Sequence, residues 1–267
     1  MIFGKVIKNF NIKEKSISTK MMNISIKIFK EIKLDNFIVF ASLPDMGKVG
    51  GLVSEHLIKE LKVEKFAEIG IFEKPWVKNE KGLVKSVIDT YDLFVNYENK
   101  FIIMTGKEQP QDPSNLFNLC LTVFNIIKNI GVPKIIYTAG GYHQPQLAQA
   151  PKVYAVSTDN ETVIKLKTLG INVFDKEIEV ITWFNGVVLG VASEMKFKAI
   201  GLFGEIAETN EKQPLAAKSV LKVFSILEDI SINTDGFDLE YENQMLDKNK
   251  RNDTYSETSK KSGPGIG

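Results

Sequence analysis

The sequence predicts an α/β fold, a three-layer α/β/α sandwich built on a mostly parallel or mixed sheet. Short apolar runs without polar alternation indicate strands that are covered on both faces, as in parallel sheets. Amphipathic segments with helical spacing separate several of these runs, which is the order expected of a layered α/β protein. The 267 residues are 43% hydrophobic and 25% charged, as is usual for a globular protein with one large core. The pattern places this domain at residues 24–232.

Seven apolar runs are predicted to be strands, because each is short, continuous and bounded by turn residues. They cover residues 37–41, 69–72, 101–104, 135–139, 153–156, 187–191 and 199–203. Residues 86–97 alternate less cleanly between apolar and polar side chains. This last segment is therefore predicted to be an antiparallel or edge strand.

Four helices are predicted from apolar residues that recur at helical spacing. They begin at Val49, at Asp112-Pro113, near residue 159 and at Pro214. The second has the clearest signals, since Asp112 can cap its first amides and Pro113 suits the first helical position. Gly131 ends it. Cys120 lies on the apolar stripe of this helix, which predicts a small core residue rather than a nucleophile.

Both ends of the chain differ in composition from the predicted domain. Residues 1–20 contain five Lys and one Glu, so we expect residues 1–23 to form a basic extension that is either disordered or weakly docked on the domain. Residues 233–267 carry many charges and few aliphatic side chains. A short helix is predicted over residues 238–247, and disorder is expected in the rest of this polar tail.

The composition argues against several classes of function. The formal net charge is +1, with two His and one Cys, so nothing favours a nucleic-acid partner or an anionic membrane. A disulfide within the chain is excluded, and a zinc site made of Cys and His alone is disfavoured. We therefore predict no metal and no cofactor. The absence of an 18-residue apolar run and of a secretory signal predicts a cytoplasmic protein without a membrane span.

Four loops that follow predicted strands carry titratable side chains. In open α/β sheets, ligands bind beyond the carboxyl ends of the strands. If the four strands are parallel and adjacent, Asp45, Glu108, His143 and Glu205 share one rim and form a candidate acid–base pocket. The simpler interpretation is that these loops are turns with solvated polar residues. No residue is assigned a catalytic role.

Two aromatic segments lie in or beside predicted turns. Trp76 follows a Phe-Glu-Lys-Pro sequence, and Trp183 precedes Phe184-Asn-Gly. Exposed aromatic residues favour protein interfaces. The alternative is that these side chains pack over the edges of the sheet.

Three sequence blocks, taken in order, resemble the proteasome assembly chaperone 2 family. Residues 43–51 read LPDMGKVGG, residues 105–110 with 135–141 read TGKEQP and IIYTAGG, and residues 201–205 with 213–218 read GLFGE and QPLAAK. The resemblance spans residues 37–230. Its motif positions are Pro44, Asp45, Gly47, Gly50, Gln109, Pro110, Gly140, Gly141, Gly204 and Glu205.

This resemblance implies a phosphorylase/hydrolase-like α/β/α domain that forms homo-oligomers and assists the assembly of proteasome α subunits, without established catalytic residues. Some relatives end in a hydrophobic–Tyr–any tripeptide that docks between α subunits, whereas this chain ends in Gly265-Ile266-Gly267. The main hypothesis is a non-enzymatic assembly chaperone. The alternatives are a small-molecule-binding protein or hydrolase/phosphorylase-like enzyme that uses the loop rim, and a scaffold for another partner.

Overall fold

A computed structural model describes residues 23–144, 150–176 and 178–261. The strands are β1 (Ile24–Ile28), β2 (Phe37–Ala41), β3 (Glu64–Ile71), β4 (Val77–Glu80), β5 (Leu83–Ser86), β6 (Asp89–Asn96), β7 (Phe101–Gly106), β8 (Pro133–His143), β9 (Val153–Ser157), β10 (Asn172–Val173) and β11 (Ala199–Ile206). The helices are α1 (Val49–Glu60), α2 (Pro113–Ile130), α3 (Asn160–Thr168), α4 (Trp183–Glu194), α5 (Pro214–Glu228) and α6 (Gly236–Lys261).

Nine of the described strands form one mixed sheet in the order β1-β3-β6-β7-β2-β8-β11-β9-β10. The central strands β7, β2, β8 and β11 are parallel to one another. On one side, β1, β3 and β6 add antiparallel strands, and on the other side β9 is antiparallel to β11. Strands β4 and β5 form a separate hairpin.

Helices cover both faces of the sheet and create two apolar cores. One core joins α2 and α4 to side chains such as Val39, whereas the other joins α1 and α5 to side chains such as Phe40. Adjacent residues of β2 thus enter opposite cores, as strand geometry requires. Cys120 is fully buried within the first core. The predicted three-layer α/β/α architecture with a mixed sheet is confirmed.

Two predicted strands differ from their observed positions. Residues 187–191 lie inside α4, where Phe184, Val188 and Val191 share the buried face of a helix. A short apolar run does not by itself distinguish a buried helix from a buried strand, so the prediction of a strand here was wrong. The antiparallel strand within residues 86–97 is present as β6, but it lies between β3 and β7 rather than at an edge.

The end of the chain also departs from expectation. The helix expected over residues 238–247 runs from Gly236 to Lys261, and its first turns pack on α5. Phe237 is buried and its ring lies 4.5 Å from that of His56, so packing continues past the boundary predicted at residue 232. Neither Gly nor Pro interrupts the chain from 237 to 262, which allows the longer helix. Residues 1–22 and 262–267, and the expectations that concern them, lie outside the described residues.

Candidate functional site

The loops that carry the family-like motifs meet at one edge of the sheet. Strands β7, β2, β8 and β11 are neighbours and run in the same direction. Their carboxyl ends therefore lie side by side. The loops that follow β2, β7, β8 and β11 contain the predicted rim residues, and we call this edge the rim.

Asp45 is a half-buried carboxyl group of the rim that bonds to two other backbone segments. Its Oδ2 accepts a hydrogen bond from the Gly141 amide at 2.7 Å, and its Oδ1 accepts one from the Gly50 amide at 3.1 Å. Burial raises the pKa of Asp45 to about 7, although these amides favour the ionised form. The carboxyl group thus ties the loop after β2 to the start of α1 and to the end of β8.

Three motif glycines allow the backbone segments of the rim to approach closely. A Cβ atom on Gly50 would lie 2.3 Å from Ser42 Oγ and 2.5 Å from the Ala139 carbonyl oxygen. A Cβ atom on Gly140 would lie 2.5 Å from Asp45 Oδ2, and one on Gly141 would lie 2.4 Å from the Met46 oxygen. Glycine is therefore required at these positions by space.

The glycine of the β2 loop also has a conformational role. Gly47 adopts a φ of +65°, which other residues rarely adopt. Its amide donates to the Thr209 oxygen at 2.7 Å, and its oxygen accepts from the Gln213 amide at 2.9 Å. The first motif block is in this way fastened to the segment that leads into α5.

Gln109 connects the second motif block to two other parts of the rim. Its Nε2 donates to the Pro44 oxygen at 2.9 Å, and its Oε1 accepts from the Phe184 amide at 3.0 Å. One amide side chain thus holds the β2 loop and the first turn of α4. The adjacent Pro110 is buried.

The third motif block sits at the end of β11. A Cβ atom on Gly204 would lie 2.9 Å from the Ala216 oxygen, so this glycine lets α5 approach the strand. Glu205 is buried, and its Oε2 accepts a hydrogen bond from the Lys152 amide at 2.9 Å. Glu205 therefore joins β11 to the segment before β9.

The remaining two predicted rim residues point elsewhere. Glu108 is exposed and forms an ion pair with Lys74 at 2.8 Å. His143 is exposed, and its Nε2 lies 3.2 Å from the Ala207 oxygen. Among the described residues, Asp45, Glu108, His143 and Glu205 are each bonded to different partners, and no hydrogen bond joins any two of them. The rim brings their loops together, and an acid–base pocket remains a prediction.

Sequence reasoning missed two side chains that complete the rim. Buried Ser42 donates from Oγ to the Ala139 oxygen at 2.7 Å and accepts from the Ala139 amide at 3.2 Å. Buried Asn185 accepts a hydrogen bond from Thr138 Oγ1. Ser42 lies in the loop directly after β2 and Asn185 in the first turn of α4, and neither belongs to a motif block. Only their position beside the motif blocks could have indicated them.

Large apolar side chains are exposed around the rim. Trp76 and Trp183 are 56% and 51% exposed, and Phe72 is also exposed, whereas Phe184 is buried. Trp183 has a φ of +58°, an unusual conformation for a bulky residue. All eight strand residues of the β4–β5 hairpin are exposed.

Other features of the described residues bear on the predicted classes of function. Within residues 23–144, 150–176 and 178–261, no group of three or more His, Cys, Asp and Glu side chains could hold a metal ion. In the same ranges, no helix has the length and apolar character needed to cross a membrane. Burial raises the pKa of the Cys120 thiol above its usual range.

A family model described as the PAC2 family matches residues 39–251. The chain belongs to the PAC2 family. It is 31% identical over 217 residues to the uncharacterized protein MJ1210 of Methanocaldococcus jannaschii, a match that covers 80% of this chain and 82% of that protein. The matched range contains all three motif blocks, so the resemblance found from the sequence is confirmed.

Solved structures share the PAC2 architecture. PbaB of Pyrococcus furiosus, an archaeal proteasome activator, superposes with a TM-score of 0.74 at 26% identity, covering 86% of this chain and all of that one. PbaA of the same organism, an archaeal homolog of proteasome-assembly chaperone, gives a TM-score of 0.73 at 19% identity, covering 90% and 95% of the two chains. At 19% identity, the likeness to PbaA shows a shared fold alone.

Proposed function

We propose that this chain is a non-enzymatic, cytoplasmic assembly chaperone that binds proteasome α subunits while their ring forms. The observation that carries the proposal is PAC2 family membership over residues 39–251. The likeness to PbaB, a proteasome activator, adds support at 26% identity. Both findings support a function connected with the proteasome, and we propose the binding of α subunits as its specific step.

The chemistry of the rim supports a scaffold rather than a reaction centre. Both carboxylate oxygens of Asp45 accept backbone hydrogen bonds, and both polar atoms of the Gln109 amide bond to other segments. The motif glycines are in contact with neighbouring backbone. In this proposal the motif residues hold the segments of the rim in fixed relative positions, and the rigid domain presents its outer surface to α subunits.

We also propose that the chain forms homo-oligomers, and the β4–β5 hairpin supports this step. A two-stranded hairpin without a packed face is marginally stable in water. Lys78 lies directly opposite Lys85 in this hairpin, which disfavours it further. Leu83 and Val84 are 67% and 72% exposed. Contact with another chain would cover these apolar side chains and stabilise the hairpin.

The test mixes the purified full chain with α subunits from the same organism and follows the species by native mass spectrometry. We expect a complex of the chain with α subunits, and faster appearance of α rings than with α subunits alone. Absence of any complex and an unchanged rate of ring formation would refute the chaperone proposal.

A pair of matched variants separates self-association from general surface effects. Leu83→Ser with Val84→Ser removes the exposed apolar residues of the hairpin, and we expect a smaller oligomer by light scattering. Val132→Ser with Ile164→Ser changes residues that are 71% and 66% exposed elsewhere, and we expect no change. An oligomer that is the same size in both variants would contradict the proposed role of the hairpin.

A further inference from the structure

Strand β1 forms one edge of the nine-stranded sheet, and among the described residues its single neighbour is β3. The Asn23 oxygen accepts a hydrogen bond from the Phe72 amide at 2.9 Å. The Phe29 amide donates to the Phe66 oxygen at 2.8 Å. Because bonded and non-bonded residues alternate along an antiparallel strand, the odd-numbered residues of β1 bond to β3. The backbone N–H and C=O groups that point away from the sheet belong to three isoleucines, Ile24, Ile26 and Ile28.

The features that usually protect a sheet edge are weak in β1. Natural proteins shield such edges with very short strands, Pro, bulges or charged side chains, because an open edge pairs readily with another strand. At the opposite edge, β10 is two residues long, whereas β1 has five residues, lacks Pro and pairs with β3 without a bulge. The charge of Lys27 is neutralised by Glu68 Oε1 at 2.8 Å. Ile28 and the adjacent Phe29 are 46% and 57% exposed, so the edge offers both backbone groups and apolar surface.

We propose that β1 pairs antiparallel with β1 of a second copy of this chain, with Ile26 opposite Ile26 of that copy. Ile24 then lies opposite Ile28, and Ile28 opposite Ile24. Each of these pairs can exchange two N–H···O=C bonds, so all the outward groups of both edges are satisfied. The two sheets continue as one through the joint. This inference rests on the self-association proposed above, and it uses a surface separate from the β4–β5 hairpin.

The charges and the length of β1 select this register among the symmetric ones. In the proposed register Lys27 lies opposite Ser25 of the second copy. Moving the centre of symmetry to Lys27 would place two Lys side chains directly opposite each other, which is unfavourable. Moving it to Ser25 would leave Ile28 opposite no residue of β1. The central register is therefore the one that pairs every outward residue and avoids the repulsion.

The side chains of the joint are complementary as well. Ile24 and Ile26 pack against the core that contains α2 and α4, and alternate residues of a strand share one face. The isoleucines of both copies therefore form one continuous row, in which exposed Ile28 meets Ile24 of the second copy. Such cross-strand pairs stabilise a sheet. Since five residues a side is well below the about 20–30 of a standard interface, we expect a weak dimer that dissociates on dilution.

Disulfide cross-linking tests the register directly. Ser25→Cys and Lys27→Cys are made separately in the full chain, and Cys120 is buried and supplies no accessible thiol. Across the proposed joint the Cα atoms of residues 25 and 27 lie about 4.5 Å apart, which suits a disulfide. Two residues 25, or two residues 27, lie about 8 Å apart, beyond the limit of about 7 Å.

We therefore expect mild oxidation to give a covalent dimer in an equimolar mixture of the two variants, and little in either variant alone. A mixture that yields no more covalent dimer than the separate variants would overturn the proposal. The gel is run without reductant, and a reduced sample of the same mixture serves as the control.

A pair of charge variants tests the same contact without a covalent link. Ser25 is exposed, and both variants are made with Leu83→Ser and Val84→Ser, so that the hairpin cannot contribute. Ser25→Glu places a carboxylate opposite Lys27 of the second copy, and Ser25→Lys places a second ammonium group there. In sedimentation equilibrium we expect the dimer dissociation constant to fall about threefold or more for Ser25→Glu and to rise by a similar factor for Ser25→Lys.

The outcomes separate this inference from the hairpin proposal. Equal dissociation constants for the two charge variants, or a weakening by both charges, would overturn the proposed joint. A hairpin variant that keeps the full oligomer size refutes the role of the hairpin, while the Ser25 comparison still reports on β1.

Discussion

Gly50 and Gly190 provide a matched pair for testing the close packing of the rim. Both are helical glycines, in α1 and α4. A Cβ atom on Gly190 would meet no heavy atom within 4 Å, whereas one on Gly50 would lie 2.3 to 2.6 Å from Ser42 Oγ and from the carbonyl oxygens of Ala139 and Leu43. The added methyl group of a Gly→Ala substitution therefore has open space at Gly190 and overlaps neighbouring atoms at Gly50.

The two variants should change the free energy of unfolding in opposite directions. Ala is favoured over Gly in a helix interior by about 1 kcal/mol, so Gly190→Ala should stabilise the protein by up to that amount. At Gly50 two of the three overlapping atoms are backbone, so the loop after β2 and strand β8 must move to make room. Overfilling of a packed site costs about 1–3 kcal/mol or more, which outweighs the helical gain. Because the helical gain is common to both variants, we expect them to differ by the overfilling cost alone, about 1–3 kcal/mol or more.

Urea unfolding followed by circular dichroism, at one protein concentration for all variants, measures this difference. The midpoint of Gly50→Ala should fall below that of the unmodified chain, and the midpoint of Gly190→Ala should rise above it. If Gly50→Ala unfolds at the same urea concentration as Gly190→Ala, the close approach of α1 to β8 and to the loop after β2 is not a packing constraint and the reasoning fails.

Three other variants test named contacts. Burial raises the Asp45 pKa from 3.8 to about 7, so ionisation of this group disfavours the folded state. The free energy of unfolding should therefore fall by up to ~4 kcal/mol as the pH rises between these two values. Urea titrations at several pH values should show this fall in the unmodified chain and not in Asp45→Asn. Gln109→Ala should cost about 1–3 kcal/mol in urea unfolding, and exposed Gln111→Ala less than about 0.5. Phe237→Ala should release the start of α6, which faster hydrogen exchange of residues 236–250 would reveal; unchanged protection would contradict the packing on α5.

Most of the fold could be predicted from local sequence patterns. The second helix was defined at both ends, since Asp112 accepts from two amides of its first turn and Gly131 ends it. Residues 187–191 were misassigned because their apolar side chains alone carry no period, and the helix became evident only with Phe184 and Ala192 on the same face. The placement of β6 inside the sheet depends on β1 and β3, whose pairing no local pattern specifies.

The rim could be predicted only as a meeting of loops. Parallel strands place the loops after β2, β7, β8 and β11 at one edge, and the structure does bring these loops together. The direction of each side chain depends on partners far along the sequence, such as Gly141 for Asp45 and Lys152 for Glu205. Sequence spacing carries no information about such pairs, so the burial of these two carboxylates and the exposure of Glu108 and His143 came from the structure.

The long-range contacts of the β2 loop have a consequence for how the protein folds during its synthesis. Asp45 can form its hydrogen bond with Gly141 only after that residue has been synthesised. Gly47 needs Thr209 and Gln213, which the ribosome adds more than 160 residues after it. Contacts of such separation form late, because the intervening chain must first be closed into a loop. The first motif block is therefore synthesised early and closed last. Until β8 (Pro133–His143) has been added, apolar β2 lacks this neighbour and is open to aggregation or to chaperones that hold nascent chains.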